Sequence, residues 1–183
     1  MSRITKKDCE ITCDPTFLFP KEHYIKMCSK VDENYILVYM FDDLPGKWLS
    51  EIKNIADNES LKIVCIDKYI TGSNIWLDST MDNFFSFFND ARYIVTNTFH
   101  GTVFSIIFEK QFVCLDYNKS KVKELLSQFN LDGRLCSGEI SDVLHRTIDY
   151  TEVRPIIMDL KEKSEKYLLN ALDEITGTKE VAS

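Results

Sequence analysis

At 183 residues the chain has the length of one ordinary domain, and 44% hydrophobic content with 12% aromatics describes a packed core rather than a disordered segment. A formal net charge of -7 excludes the basic stripe that binding to a phosphate backbone requires, so the expected ligands are small molecules and nucleic acid is not among the partners. No stretch reaches the ~20 apolar residues of a membrane span and the first eight residues lack the apolar core of a signal peptide, which gives a cytoplasmic expectation, free or peripheral at the inner face of the membrane.

Residues 1–13 read as a polar arm, and Asp14 to Pro20 as an extended segment bracketed by prolines. Tyr35 to Met40 is a near-continuous apolar run of strand length, the pattern of a strand covered on both faces of a parallel sheet. After a turn over Phe41 to Gly46, Trp48, Leu49, Ile52, Ile55 and Ala56 recur at helical spacing, and Leu61 to Ile66 gives a second strand. Asp67 to Asn74 is loop. Ser79-Thr80-Met81-Asp82 then has the Ser-x-x-acid form of a helix start, ahead of Phe84, Phe85, Phe87 and Phe88, which mark a packing helix.

The third strand is Tyr93 to Thr96, followed by a short buried helix to about Phe108 and a fourth strand over Gln111 to Leu115. A helix carrying Val122, Leu125, Leu126 and Phe129 ends near Asn130, and Leu131 to Arg134 is the turn beyond it. Residues 140–149 read as a short helix, and Ile157 to Ile175 as a final one with Leu160, Tyr167, Leu168, Ala171, Leu172 and Ile175 down one side. Residues 177–183 are expected to be a flexible tail. The alternation predicts an α/β fold, a Rossmann-like parallel sheet of four or more strands with flanking helices, over residues 14–176.

The six cysteines are scattered without a Cys-x-x-Cys pair, and Cys65 and Cys114 sit inside apolar strands, so all are read as reduced thiols. Cys9 and Cys13 with His23 match no standard metal-ligand spacing, and neither a metal nor a cofactor is expected.

The most informative stretch is Ala91 to Phe108. A β-branched strand stops at small polar residues, Asn97 and Thr98, and a His100-Gly101 pair opens a helix. In open α/β sheets this turn lies at the carboxyl end of a strand, where ligands bind, and the helix start offers N–H groups to an anion. His100 is the candidate catalytic residue; Asn97, Thr98, Gly101 and Thr102 are the candidate binding residues. The bland alternatives are a helix-capping role for His100, a turn-forming role for Asn97, and a close helix-strand approach at Gly101.

These residues, with Asp14 to Phe19, Tyr35 to Tyr39, and above all the Thr-x-Thr-Phe-His-Gly-Thr-x-Phe-Ser core, resemble the polysaccharide pyruvyl transferase family over about residues 14–175. The resemblance implies a two-domain architecture similar to GT-B glycosyltransferases, of which this chain looks like the C-terminal half, whether an excised domain, a truncated gene product or a stand-alone relative. It implies transfer of a pyruvyl group from phosphoenolpyruvate to two hydroxyls of a sugar or lipid-linked oligosaccharide, in exopolysaccharide or cell-surface polysaccharide biosynthesis. The partner is then a missing N-terminal domain, or a second copy by self-association. In that reaction His100 is either the acid or a phosphate ligand. Better-characterised members of that family carry Arg-Leu-His where Thr98-Phe99-His100 stands, so the resemblance implies that a main phosphate-binding cation is missing at Thr98, and Arg134 is the candidate to supply charge from another loop. Two other classes stay open: a GT-B-like domain binding a nucleotide sugar, and a non-catalytic fragment.

Overall fold

The apolar runs form the middle of one sheet. In the computed structural model, which describes residues 12–176, β1 (Tyr35–Tyr39), β4 (Tyr93–Thr96) and β5 (Phe112–Leu115) are buried along their whole length, as strands covered on both faces must be. β2 (Lys62–Ile66) buries all but its first residue, and two short strands, β3 (Ile75–Leu77) and β6 (Leu135–Cys136), close the edges. The order is β3-β2-β1-β4-β5-β6 and every pair is parallel. This is the expected Rossmann-like fold, with six strands.

The α-helices are α1 (Lys21–Ile25), α2 (Gly46–Glu59), α3 (Met81–Asp90), α4 (Phe99–Ile107), α5 (Ser120–Gln128), α6 (Ile140–Leu144) and α7 (Tyr150–Thr176), and a 3₁₀ turn over Asp132–Arg134 leads into β6. Pro20–Tyr150 forms one compact unit, and a second draws its described residues from Met1–Phe19 and Thr151–Ser183. The expected arm over 1–13 and tail over 177–183 lie almost wholly outside the described residues.

One face of the sheet carries an aliphatic core in which Ile36, Val38, Val95 and Val113 meet Ile52, Ile55 and Ala56 of α2 and Ile140, Val143 and Leu144 of α6. The phenylalanines of α3 build an aromatic cluster: Phe84 lies 4.4 Å from Phe88 and 5.2 Å from both Tyr39 and Phe104, ring centre to ring centre. These are packing contacts, as the sequence pattern indicated.

Several local expectations are corrected. The segment after Asp14 is a 3₁₀ helix, Pro15–Leu18, because the Asp14 carboxylate accepts from the Thr16 N–H and Pro15 pre-sets the first turn. The α3 cap is Thr80 and not Ser79; its side chain accepts from the Asn83 N–H. The last helix begins at Tyr150, with Pro155 inside it, so one missing donor near its start does not stop it. Tyr167, Leu168 and Leu172, expected on its apolar side, are exposed.

Cys13, Cys28, Cys65, Cys114 and Cys136 are free thiols, and no metal-binding group of three occurs among the described residues; Cys9 lies outside them. Burial pushes the Cys65 thiol up to about 11 and the Cys114 thiol up to about 12. Both should therefore resist iodoacetamide in the native protein and react only on unfolding. Mass spectrometry of alkylated peptides, with and without denaturant, checks this.

Candidate functional site

The chain leaves β1 toward β2 and β3 on one side and returns to place β4 on the other. Loops leaving the carboxyl ends of β1 and β4 therefore part in opposite directions, the switch point at which doubly wound sheets bind ligands. His100 lies there, exposed, on the first turn of α4.

That turn is fixed by a chain of hydroxyls. Thr96 Oγ1 donates to the Tyr39 carbonyl at 2.7 Å and stands 3.1 Å from Thr98 Oγ1, which accepts from the Gly101 N–H at 2.9 Å. Because Thr96 has spent its one proton on Tyr39, Thr98 must be the donor in the pair. Thr98 is thus the α4 cap, and the capping role does not fall to His100.

The same geometry revises the roles of three candidates. The Thr98 hydroxyl has its proton committed to Thr96. Thr102 is fully buried, with its hydroxyl donating to the Thr98 carbonyl at 2.9 Å beside the Cys114 sulfur and its N–H bonded to the same carbonyl. Gly101 gives its N–H to Thr98, and a Cβ there would lie 2.2 Å from Thr96 Oγ1 and 2.6 Å from Thr98 Oγ1. These residues shape the turn from inside, and Gly101 is glycine because helix and strand approach too closely for a side chain.

Asn97 is wholly buried and donates from Nδ2 to Asp42 Oδ2 at 2.8 Å, while its Oδ1 has no partner among the described residues. The reverse amide orientation would aim oxygen at a carboxylate, so the assignment is chemically determined. Asp42 also accepts a short hydrogen bond from Lys119 Nζ. This bond, with help from Asn97, holds the Asp42 carboxyl below its ordinary value. Lys68 pins the same β1 loop, donating to the Phe41 carbonyl at 3.3 Å and pairing with Asp43 at 2.5 Å.

A pocket of about 490 Å³ opens beside this cluster, between the N-termini of α4 and α5. Thr98, Phe99 and His100 line it on one side and Lys119, Ser120 and Lys121 on the other, with Tyr39, Phe41 and Val122 as apolar wall. Among the described residues no side chain caps the α5 N-terminus, which leaves the first-turn N–H groups of Ser120 and Lys121 to water or a ligand. Two helix dipoles, two lysines and a histidine around one pocket suit an anion attached to a partly apolar body.

Arg134 is not part of it. The side chain is buried, and its guanidinium donates to the carbonyls of Phe112 (3.3 Å), Val143 (2.8 Å) and, by a short bond, Arg146. Phe112 is the first residue of β5, so the guanidinium sits at the amino end of the strands, away from the turn that carries His100. Its expected place in the site is corrected to a structural one. The cations the pocket does hold, Lys119 and Lys121, were not singled out from the sequence, nor were Asp42 and Thr96.

A doubly wound parallel sheet with flanking helices defines a Rossmann-like domain. The family model described as polysaccharide pyruvyl transferase matches residues 1–119, through the whole β4–α4 turn to Lys119, and the chain belongs to that family. No curated protein matches significantly. Among solved structures, the glycosyltransferase SnogD from Streptomyces nogalater aligns with a TM-score of 0.43 at 9% identity, over 86% of this chain and 42% of its own. The chain thus spans less than half the length of that protein. Among the described residues no helix is long and apolar enough to cross a membrane.

Proposed function

We propose that this chain is the donor-binding part of a polysaccharide pyruvyl transferase, with the pocket between α4 and α5 receiving the phosphate of phosphoenolpyruvate. The observation that carries the reading is the convergence of His100, Lys119, Lys121 and two helix N-termini on one pocket at the switch point of a member of this family. The reaction adds a proton to the methylene carbon of the enol and a sugar oxygen to C2. Phosphate then leaves C2 as a second sugar hydroxyl closes the ketal, and the two hydroxyl protons balance the one gained by carbon and the one leaving with phosphate. His100, exposed at the pocket, is the group placed to deliver the proton or to bind the departing phosphate.

The other wall of such a site, which would hold the sugar or lipid-linked acceptor and exclude water, is proposed to come from an N-terminal GT-B-like half or from a second copy of the chain. Alone, this chain should show little turnover, since near-attack geometry needs both substrates held.

A nucleotide sugar is the second reading, favoured by Phe41, a 61%-exposed aromatic ring on the pocket wall. Thermal shift separates the two, because a ligand of the native state raises apparent stability. Phosphoenolpyruvate should raise the melting temperature more than UDP or UDP-sugars do. His100→Ala should weaken phosphoenolpyruvate binding by roughly 1.5–3 kcal/mol, the worth of a charge-assisted hydrogen bond, and leave the melting temperature of the free chain nearly unchanged. Lost stability with unchanged anion binding would remove His100 from the site.

A further inference from the structure

Thr98 brings no charge to the pocket, and the cations on its lining come from the opposite side. Lys119 reaches it from the N-cap of α5, with its side chain 37% exposed, and pairs with Asp42, 77 positions earlier in the chain. Asp42 is held in turn from beneath by Asn97, a buried side chain in the same β4–α4 turn that presents His100. Three loops, after β1, β4 and β5, are therefore joined through one carboxylate.

We propose that Lys119 is the principal anion-binding cation of this pocket, and that it also masks the Asp42 carboxylate that would otherwise repel an anion. An ammonium has three donors and Asp42 takes one, so the pair does not exhaust Lys119. The Tyr117 ring, whose centre lies 5.8 Å from Nζ, confines the side chain from another direction. Asp42, with its side chain 44% exposed, is a carboxylate at neutral pH with or without its lysine partner, so removing Lys119 subtracts an attraction and uncovers a repulsion together. Lys121, exposed and without a carboxylate partner among the described residues, has only the first of these effects. Asp42 and Asn97 are positioning residues.

The inference rests on the pocket being an anion site but not on the anion being phosphoenolpyruvate, so inorganic phosphate is the first probe and phosphoenolpyruvate the second. Calorimetric titration at low salt should show Lys119→Met weakening phosphate about tenfold or more, with Lys119→Arg within about threefold of the parent. Lys121→Met should lose less than Lys119→Met. The double variant Lys119→Met/Asp42→Asn should bind better than Lys119→Met alone, because the uncovered carboxylate is gone. Circular dichroism confirms that each variant is folded, and these surface changes leave the core intact. Lys119→Met binding phosphate like the parent, or a double variant no better than the single, overturns the inference, while His100→Ala still reports on the proposed function. Lys119-dependent phosphate binding with UDP preferred over phosphoenolpyruvate overturns the proposed donor and keeps the inference. Failure of the parent to bind either phosphate or phosphoenolpyruvate overturns both.

Discussion

Gly101→Ala should lower stability by about 2 kcal/mol and the melting temperature by roughly 4–8 °C, although alanine is the better helix former by about 1 kcal/mol. The sign is set by where the new methyl would go. Its nearest neighbours are Thr96 Oγ1 at 2.2 Å, Thr98 Oγ1 at 2.6 Å and Thr96 Cβ at 3.0 Å, all on stiff β-branched side chains. Neither threonine can turn away without loss. Thr96 Oγ1 is bonded to the Tyr39 carbonyl, and Thr98 Oγ1 caps α4 through the Gly101 N–H itself. Relief therefore means pushing α4 off β4, which shifts His100 relative to the loop of Lys119 and disturbs the pocket they line. Thermal melts and phosphate titration on the one variant should show both effects, and an alanine variant as stable as the parent would contradict the close approach.

Much of this turn was legible in the sequence because its cause is local. A β-branched run, two small polar residues and a His-Gly pair at a helix start encode strand, turn and cap within a dozen positions, and the glycine follows from the packing of one helix on its own strand. The buried strands were legible for the same reason, since β1, β4 and β5 are apolar on both faces. The edge strands were not. β3 pairs on one side only over three residues, and β6 contributes two, too few for a periodic signal.

The charged part of the site was hidden for a different reason. Lys119 and Asp42 stand in loops whose sequence reads as ordinary solvated turn, and only the strand order brings the carboxyl ends of β1, β4 and β5 side by side. Asn97 reaches Asp42 across 55 positions and Lys119 reaches it across 77, so no short window contains the pair. Arg134, the nearest notable arginine in a turn, was the wrong choice because a charged turn residue reads as exposed until the carbonyls around it are seen.

Those carbonyls make Arg134 the residue whose loss should cost most while leaving the pocket alone. Its guanidinium ties the start of β5 to α6 and to the turn after it, through Phe112, Val143 and Arg146. A buried guanidinium bonded to three backbone oxygens is expensive to remove, because each carbonyl loses a charged donor in a place where water does not readily replace it, although the Val143 carbonyl keeps a 3.3 Å bond from the Arg146 N–H. Arg134→Met, which keeps most of the side-chain volume, should destabilise by about 3 kcal/mol and lower the melting temperature by roughly 6–12 °C. Phosphate affinity measured below the transition should not change, since the guanidinium lies at the amino end of the sheet and the pocket at the carboxyl end. The opposite pair of results, weakened phosphate binding with unaltered stability, would return Arg134 to the site and take the cationic role away from Lys119.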